Sequence, residues 1–355
     1  MKLKIFLSTT LLVLVFFIAC KKEKDYTGIY NPTYVALDLP FGFPAMDIPE
    51  DNPFTEEGIE LGRHLFYEKS LSGDNTMSCG SCHRPSMGFS DSNRFSTGID
   101  NITGTRQSMP IMNIAWAKRF FWDGRAMSLE EQIIEPVENP IELHETWKSA
   151  VSKLQNIPKY RTMFKRAFWV DEIDSISAAK AIAQFLRTMI SGNSRYDQFL
   201  RSEIRLTSAE NNGKSSFESL TGADCFHCHG GVLFTDYSFR NNGLNPVHTD
   251  SGFGGITMNP NDIGKFKVPS LRNLVFTAPY MHDGKFQTLD EVIDFYSTGI
   301  HKFSPNISPD IEFSSQGGVN LNILEKAELK AFLLALTDSS FITNPDFQDP
   351  NNIIK

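Results

Sequence analysis

Cys79-Gly80-Ser81-Cys82-His83 and Cys225-Phe226-His227-Cys228-His229 are two copies of one five-residue pattern, and they set how the rest of the chain is read. Two thiols one helical turn apart can form thioethers with the two vinyl groups of a single porphyrin, and the next residue places an imidazole beneath the iron. Cys79, Cys82, Cys225 and Cys228 are therefore predicted heme attachment points, with His83 and His229 as iron ligands. Each imidazole is expected to donate its second ring nitrogen to a backbone carbonyl, which fixes the ring. A four-cysteine zinc site has about 15–20 residues between its pairs, whereas here residues 83–224 intervene. A thioredoxin-like redox pair needs a βαβ context that neither flank supplies.

The fifth and last cysteine, Cys20, closes Phe17-Ile18-Ala19-Cys20. Lys2 and Lys4 precede an apolar run, Leu11 to Ile18, too short to span a bilayer. Residues 1–20 thus read as an export signal ending in a lipobox-like motif, with lipidation at Cys20; a plain signal peptide that happens to end in Cys is the alternative. Residues 21–45 read as a tether. The expected location is the periplasmic side, lipid-anchored to the membrane, with the outer membrane favoured. The formal net charge of −8 over 355 residues argues against nucleic acid as a partner. Removing the signal takes away two lysines and makes the chain more acidic.

The remainder reads as helices joined by irregular loops, with few strand patterns. Helix starts are marked by Thr55…Gly58, Ser128…Glu131, Thr207…Glu210 and Thr288…Glu291. Ile173, Ile176, Ala183, Leu186 and Ile190 form the stripe of an amphipathic helix, and Leu321 to Leu336 repeats it. Loops 91–113 and 241–264 are expected to line heme edges. The boundary is placed near Gly192-Asn193-Ser194, giving an N-terminal domain 46–192 and a C-terminal domain 193–345, one heme motif in each.

From about Pro53 to Asp338 the chain resembles the bacterial diheme cytochrome c peroxidase family, including its MauG-like branch. The stretches that carry the resemblance are Leu61-Gly62-Arg63-His64-Leu65-Phe66, Phe121-Trp122-Asp123-Gly124-Arg125, Pro136-Val137-Glu138-Asn139-Pro140-Ile141-Glu142, Val268-Pro269-Ser270-Leu271-Arg272-Asn273 and Thr277-Ala278-Pro279-Tyr280-Met281-His282-Asp283-Gly284. The resemblance implies a mainly α fold of two cytochrome c-like domains, each wrapping one covalently bound c-type heme. It implies that the N-terminal heme meets hydrogen peroxide and the C-terminal heme stores or relays electrons. Trp122 matches the tryptophan between the hemes, although a buried Trp is by default a packing residue. Glu142 matches the glutamate over the peroxide-binding iron, which would move a proton between the two peroxide oxygens. Its bland reading is a solvated carboxylate at a helix start; Glu138 is the competing choice, and the spacing from Pro136 favours Glu142. Gln107 falls in the loop lining the same pocket. It also matches, with Thr277 and Pro279, a calcium site between the domains; the two roles compete.

Two departures from the peroxidase branch stand out. After Ser96-Thr97-Gly98 that branch has a histidine as sixth ligand of the first iron; here Ile99-Asp100-Asn101 follow, and no histidine occurs between His83 and His144. The first heme is therefore expected to be open in the resting state. At the other iron, the position of the methionine ligand is Tyr296, as in the MauG-like branch. The helix from Thr288 places it on the face of Leu289, Val292 and Ile293. Met281 and Met258 are the alternatives, with Tyr296 then a core residue. His64, His144, His248 and His301 read as surface or structural, and His227 as facing away from its iron.

Three functions are thus in view. The first is a peroxidase that reduces hydrogen peroxide with electrons from a small donor protein such as a cytochrome c or cupredoxin. The second is a MauG-like oxidase that turns stored high-valent iron on a protein or organic substrate. The third is a diheme electron carrier, against which Glu142 and an open first heme speak. A homodimer is expected from the resemblance alone.

Overall fold

The computed structural model describes residues 31–351, so the export signal, Cys20 and Lys21 to Asp25 lie outside the described residues. No helix among them is long and apolar enough to cross a membrane. The first half contains α1 (Glu56–Phe66), α2 (Cys79–Cys82), α3 (Leu129–Glu138), α4 (Trp147–Gln155), α5 (Pro158–Phe168) and α6 (Ser175–Arg187). The second contains α7 (Arg195–Leu200), α8 (Ser208–Phe217), α9 (Phe226–His229), α10 (Gly254–Thr257), α11 (Leu289–Asp294), α12 (Ile323–Ala335) and α13 (Ser339–Thr343). Among the described residues, strand structure beyond isolated bridges is an antiparallel pair of two-residue segments, β1 (Phe239–Arg240) and β2 (Phe266–Lys267). The expected mainly helical class is what the chain adopts.

All four expected helix starts are built. Thr55 accepts from Gly58 N and Ser128 from Glu131 N, while Thr207 with Glu210 and Thr288 with Glu291 form reciprocal capping boxes. The amphipathic stripe expected over Ile173–Ile190 needs correction. Helix α6 is buried almost all round through Ala178, Ala181, Ile182, Phe185 and Leu186, whereas Ile176 is 66% exposed. The reason is close packing. An added Cβ on Gly62 would stand 1.9 Å from Ala181 O, so α1 lies directly on the α6 backbone.

The same crossing recurs in the second half, where a Cβ on Gly213 would stand 1.9 Å from Glu328 O and 2.9 Å from Phe332 Cβ. The two halves are one structure built twice. Asn113 and Asn273 both take left-handed backbone (φ 55 and 60). Each is held by the end of its own long helix: Asn113 N donates to Met189 O, and Asn273 N to Leu336 O. The side-chain carbonyls accept from Ser191 N and Asp338 N respectively. Phe120 then pairs with Ala126, and Tyr280 with Phe286, just before α3 and α11.

Two apolar clusters follow this division, one running from Leu61 to Met189 and the other from Tyr196 to Leu336. Phe341 and Phe347 return to the first cluster, meeting Phe89 and Phe185 edge-on. Between clusters, the Asp338 carboxylate accepts from Ser191 Oγ, Gly192 N and Asn193 N. The loops of one half also dock on the other. Gln107 N donates to His282 O (2.8 Å), and Lys267 N to Trp122 O (2.9 Å). Because Gln107 and Lys267 precede Asn113 and Asn273 by the same interval, as Trp122 and His282 follow them, this exchange is reciprocal.

Gly213→Ala should destabilise the heme-loaded protein by at least about 1–3 kcal/mol, measured by denaturant unfolding, since the methyl group meets backbone that cannot move aside. A change below 0.5 kcal/mol would show that α8 and α12 can separate freely.

Candidate heme-binding site

Cys79–Cys82 form a single turn entered through Ser78, whose side chain and that of Ser81 cap one another's backbone. His83 follows at once, and its Nδ1 lies 2.9 Å from Phe89 O. The turn that brings this carbonyl round needs left-handed backbone at Gly88 and Phe89, both at φ 60. In the second half His229 Nδ1 lies 3.1 Å from Phe234 O. Each Nδ1–H is thereby occupied and each Nε2 lone pair is left for a metal. Burial pushes both imidazoles below the usual histidine range, keeping them neutral. The four cysteines are free thiols. Burial pushes Cys79 and Cys225 up to about 12, and Cys82 and Cys228 up to about 11. Two unoxidised thiols one turn apart beside an oriented, neutral imidazole fit a porphyrin in both halves.

A cavity of ≈ 350 Å³ opens beside the first motif, lined by Cys79, Cys82 and His83 and by apolar groups such as Phe66, Ile111, Phe120 and Leu186. Glu142 lines it too, with Oε1 accepting from Asn139 Nδ2 at 2.8 Å. Burial raises its pKa, opposed by Asn139 and by the charge of Arg125. Glu138 is exposed and outside the lining, so only Glu142 of the two carboxylates faces the cavity. Among the described residues, His83 is the one histidine in the lining. Ser96-Thr97-Gly98 form part of the wall, with Ile99 N donating to Glu142 O (3.0 Å). His144 is turned outward, half-exposed and bonded to Asp100.

Trp122 is buried between the halves, its indole Nε1 donating to Gln107 O at 2.8 Å and its ring 6.5 Å edge-on from His282. Gln107 also lines the cavity, and its amide nitrogen donates to Ser90 Oγ (2.7 Å). Thr277, the second residue expected at calcium, is buried against Gly88. Among the described residues no group of three or more His, Cys, Asp or Glu could hold a metal ion, which leaves a site built from carbonyls unaddressed.

Gln132 and Arg125 are among the lining residues that escaped the sequence reading. Gln132 stands one helical turn before Pro136 on α3 and shares its face, a spacing that would have revealed it. Arg125 sits 3.4 Å over the Phe121 ring and pairs with Asp123 and Glu135.

At the second motif, Tyr296 is partly buried and its hydroxyl accepts from Asn242 Nδ2 at 2.9 Å. Burial pushes the phenol up to about 12, against the pull of that hydrogen bond. Tyr296 points inward as expected, but not by α-helical periodicity: α11 ends at Asp294 and Phe295–Gly299 form a π turn. Met258 is 82% exposed, whereas Met281 Sδ lies 3.6 Å from the same Asn242 nitrogen. His227 Nδ1 lies 2.9 Å from Asp224, His248 Nε2 2.8 Å from Pro305 O, and His64 Nδ1 2.8 Å from Lys159. His282 stacks on Phe266 at 3.5 Å, and burial lowers its pKa to about 4.

The sequence pattern of a family described as di-haem cytochrome c peroxidase matches residues 56–205. The methylamine utilization protein MauG of Methylorubrum extorquens is 35% identical over 84% of this chain and 83% of its own. The cytochrome-c peroxidase IdrP1 of Pseudomonas sp. strain SCT is 32% identical over 85% and 86%. A crystal structure of a MauG-like protein associated with microbial copper homeostasis superposes with a TM-score of 0.83 at 35% identity, covering 89% of this chain and 99% of that one.

Chains matured in a host with c-type heme machinery should keep two hemes after acidified-acetone extraction. Replacing Cys79 and Cys82 by Ala, or Cys225 and Cys228, should leave one. Two retained hemes in either double variant would disprove attachment at that motif.

Proposed function

Because the chain belongs to the di-haem cytochrome c peroxidase family, with relatives named as peroxidases and as MauG over most of its length, we propose that this oxidoreductase reduces hydrogen peroxide at the first heme with electrons relayed from the second. The observation that supports it best is one cavity shared by the His83 imidazole and the Glu142 carboxyl, with no second histidine in its wall. When bound, the hemes supply the redox chemistry: an iron that meets peroxide in the first half and an electron store in the second. His83 and His229 hold the irons and Cys79, Cys82, Cys225 and Cys228 the porphyrins.

The protein's own work is proton movement, orientation and exclusion of water. Glu142 takes the proton from one peroxide oxygen and returns it to the other, which leaves as water. Its raised pKa, from burial, brings carboxylate and carboxylic acid closer in energy near neutral pH. Arg125, beside it, limits that rise and keeps the base form available. Pro136 occupies the place in the repeat that Tyr296 fills in the second half. Proline has no donor group for iron, so this position would leave the first site open. Trp122 stands between the halves as the relay. Electrons come from a small donor protein, a cytochrome c or cupredoxin, and a calcium ion at Gln107, Thr277 and Pro279 would stiffen the interface. Export and lipid anchoring at Cys20 would set the enzyme on the periplasmic side.

The second reading, oxidation of a protein or organic substrate as in the MauG-like branch, is favoured by Tyr296 as an anionic ligand of the second iron. Steady-state peroxide consumption with reduced cytochrome c distinguishes the two. The fully oxidised protein should show a high-spin signal beside a low-spin one by electron paramagnetic resonance. Two low-spin signals would mean a sixth ligand at the first iron and reductive activation.

Glu142→Gln should lower peroxide turnover by about 10²–10⁴-fold with both hemes in place. Glu142 acts first as a base, so wild-type activity should fall as pH drops through its pKa, at a pH above the ordinary glutamate value of about 4.3. The variant should lack that acid limb. Retention of the limb in the variant would assign it to another group.

A further inference from the structure

Lys267 belongs to the second half by its backbone and to the first by its side chain. It ends β2, and its N–H donates to Trp122 O (2.9 Å). Its ammonium crosses the interface, donates to Arg119 O and lies 5.3 Å from the centre of the Phe120 ring. The residue is 5% exposed, yet it lines the cavity beside His83, as Phe120 does.

Three cationic residues line that cavity. Arg106 is held by Asp123 (2.6 Å) and Asp250 (2.8 Å), and Arg125 by Asp123 (3.1 Å) and Glu135 (2.6 Å). Lys267 forms no ion pair among the described residues; Asp123 is its nearest influence and is already claimed by both arginines. An ammonium buried against a ring and a carbonyl, without a carboxylate, is costly. Burial accordingly drags its pKa down to about 7. The cavity as it stands gives this charge no counter-ion, but a porphyrin brings one. Held through its vinyl groups by Cys79 and Cys82, it would bring two propionate carboxylates at its other rim.

We propose that Lys267 is the counter-charge for a propionate of the first heme, so that the second half completes the cofactor site of the first. The inference rests on heme attachment at Cys79 and Cys82. The repeat gives it a direction. The residue equivalent to Lys267 is Gln107, which is uncharged and bonded within its own half to Ser90 Oγ. The first half therefore sends no ammonium from this position into the second, and the effect belongs to one heme only.

The test uses full-length, heme-loaded protein and the variants Lys267→Gln, which keeps a donor for Arg119 O without charge, and Lys267→Arg, which keeps the charge. Pyridine hemochrome counts hemes per chain, a redox titration reads each heme, and resonance Raman reads the propionate bending modes. A chain with Cys79 and Cys82 replaced by Ala identifies the second heme. Lys267→Gln should keep two hemes and lower the reduction equilibrium constant of the first at least tenfold, about 59 mV for one electron, with a shifted propionate mode. Lys267→Arg should restore both. An unchanged first heme in Lys267→Gln, a change confined to the second heme, or loss of the first heme in both variants overturns the assignment. Fewer than two hemes in the wild-type chain would overturn the attachment reading itself.

Discussion

The reciprocal exchange between Gln107 N and His282 O and between Lys267 N and Trp122 O is the constraint from which the rest of the arrangement follows. Each half offers the other one backbone donor and one backbone acceptor. Buried polar backbone must be paired, so neither loop can shift without orphaning a group in its partner. That fixes Trp122 at the boundary, its indole on Gln107 O, and carries the Lys267 side chain across to Arg119 and Phe120. It also means the first cavity has no complete wall until the halves are docked, since Lys267, Pro269 and Ser270 from the second half line it. The Asp338 carboxylate on the Ser191–Asn193 link and the Phe341 and Phe347 rings on the first core hold the same arrangement from behind.

A duplicated fold makes its differences informative. Equivalent positions share helix caps, left-handed asparagines and glycine crossings, because those serve the chain. They diverge where chemistry is divided: Pro136 against Tyr296, Trp122 against His282, Gln107 against Lys267. Proline offers no ligand atom at its own position, while tyrosine fills the equivalent place with a partly buried phenol bonded to Asn242. The shared scaffold would therefore present one open and one closed metal position, with a local change of helix type where Tyr296 replaces Pro136.

How much of this was legible in the chain depended on how local the cause was. The heme motifs, the four helix starts and the preference for Glu142 over Glu138 rest on spacings of a few residues; the structure builds the four helix starts and sets Glu142, not Glu138, in the cavity wall. Tyr296 was read as inward through α-helical periodicity, but a π turn delivers it; the outcome agreed for a different reason. Ile176 misled because α6 is sheathed by glycine-mediated packing that a stripe of apolar residues does not encode. Lys267 carried no sign of its role at all. Its placement depends on hydrogen bonds between segments far apart in sequence, and a single lysine before Val268 reads as surface.

The pairing of Trp122 bears on how charge could cross the boundary. Its Nε1–H donates to an amide carbonyl, Gln107 O, and not to a carboxylate or imidazole. An amide oxygen is far too weak a base to accept that proton, so an electron leaving the indole would leave a cation behind. Its neighbour His282, stacked on Phe266 and held neutral by burial, neither repels that charge nor takes the proton. Nearby carboxylates are spoken for: Asp123 is bound by Arg106 and Arg125. Electron transfer through Trp122 would thus proceed without proton transfer. Proton work would fall to Glu142, whose carboxyl accepts instead from the Asn139 side-chain amide. Separating the two by hydrogen-bond partner would allow one cavity to handle protons while its boundary handles electrons alone.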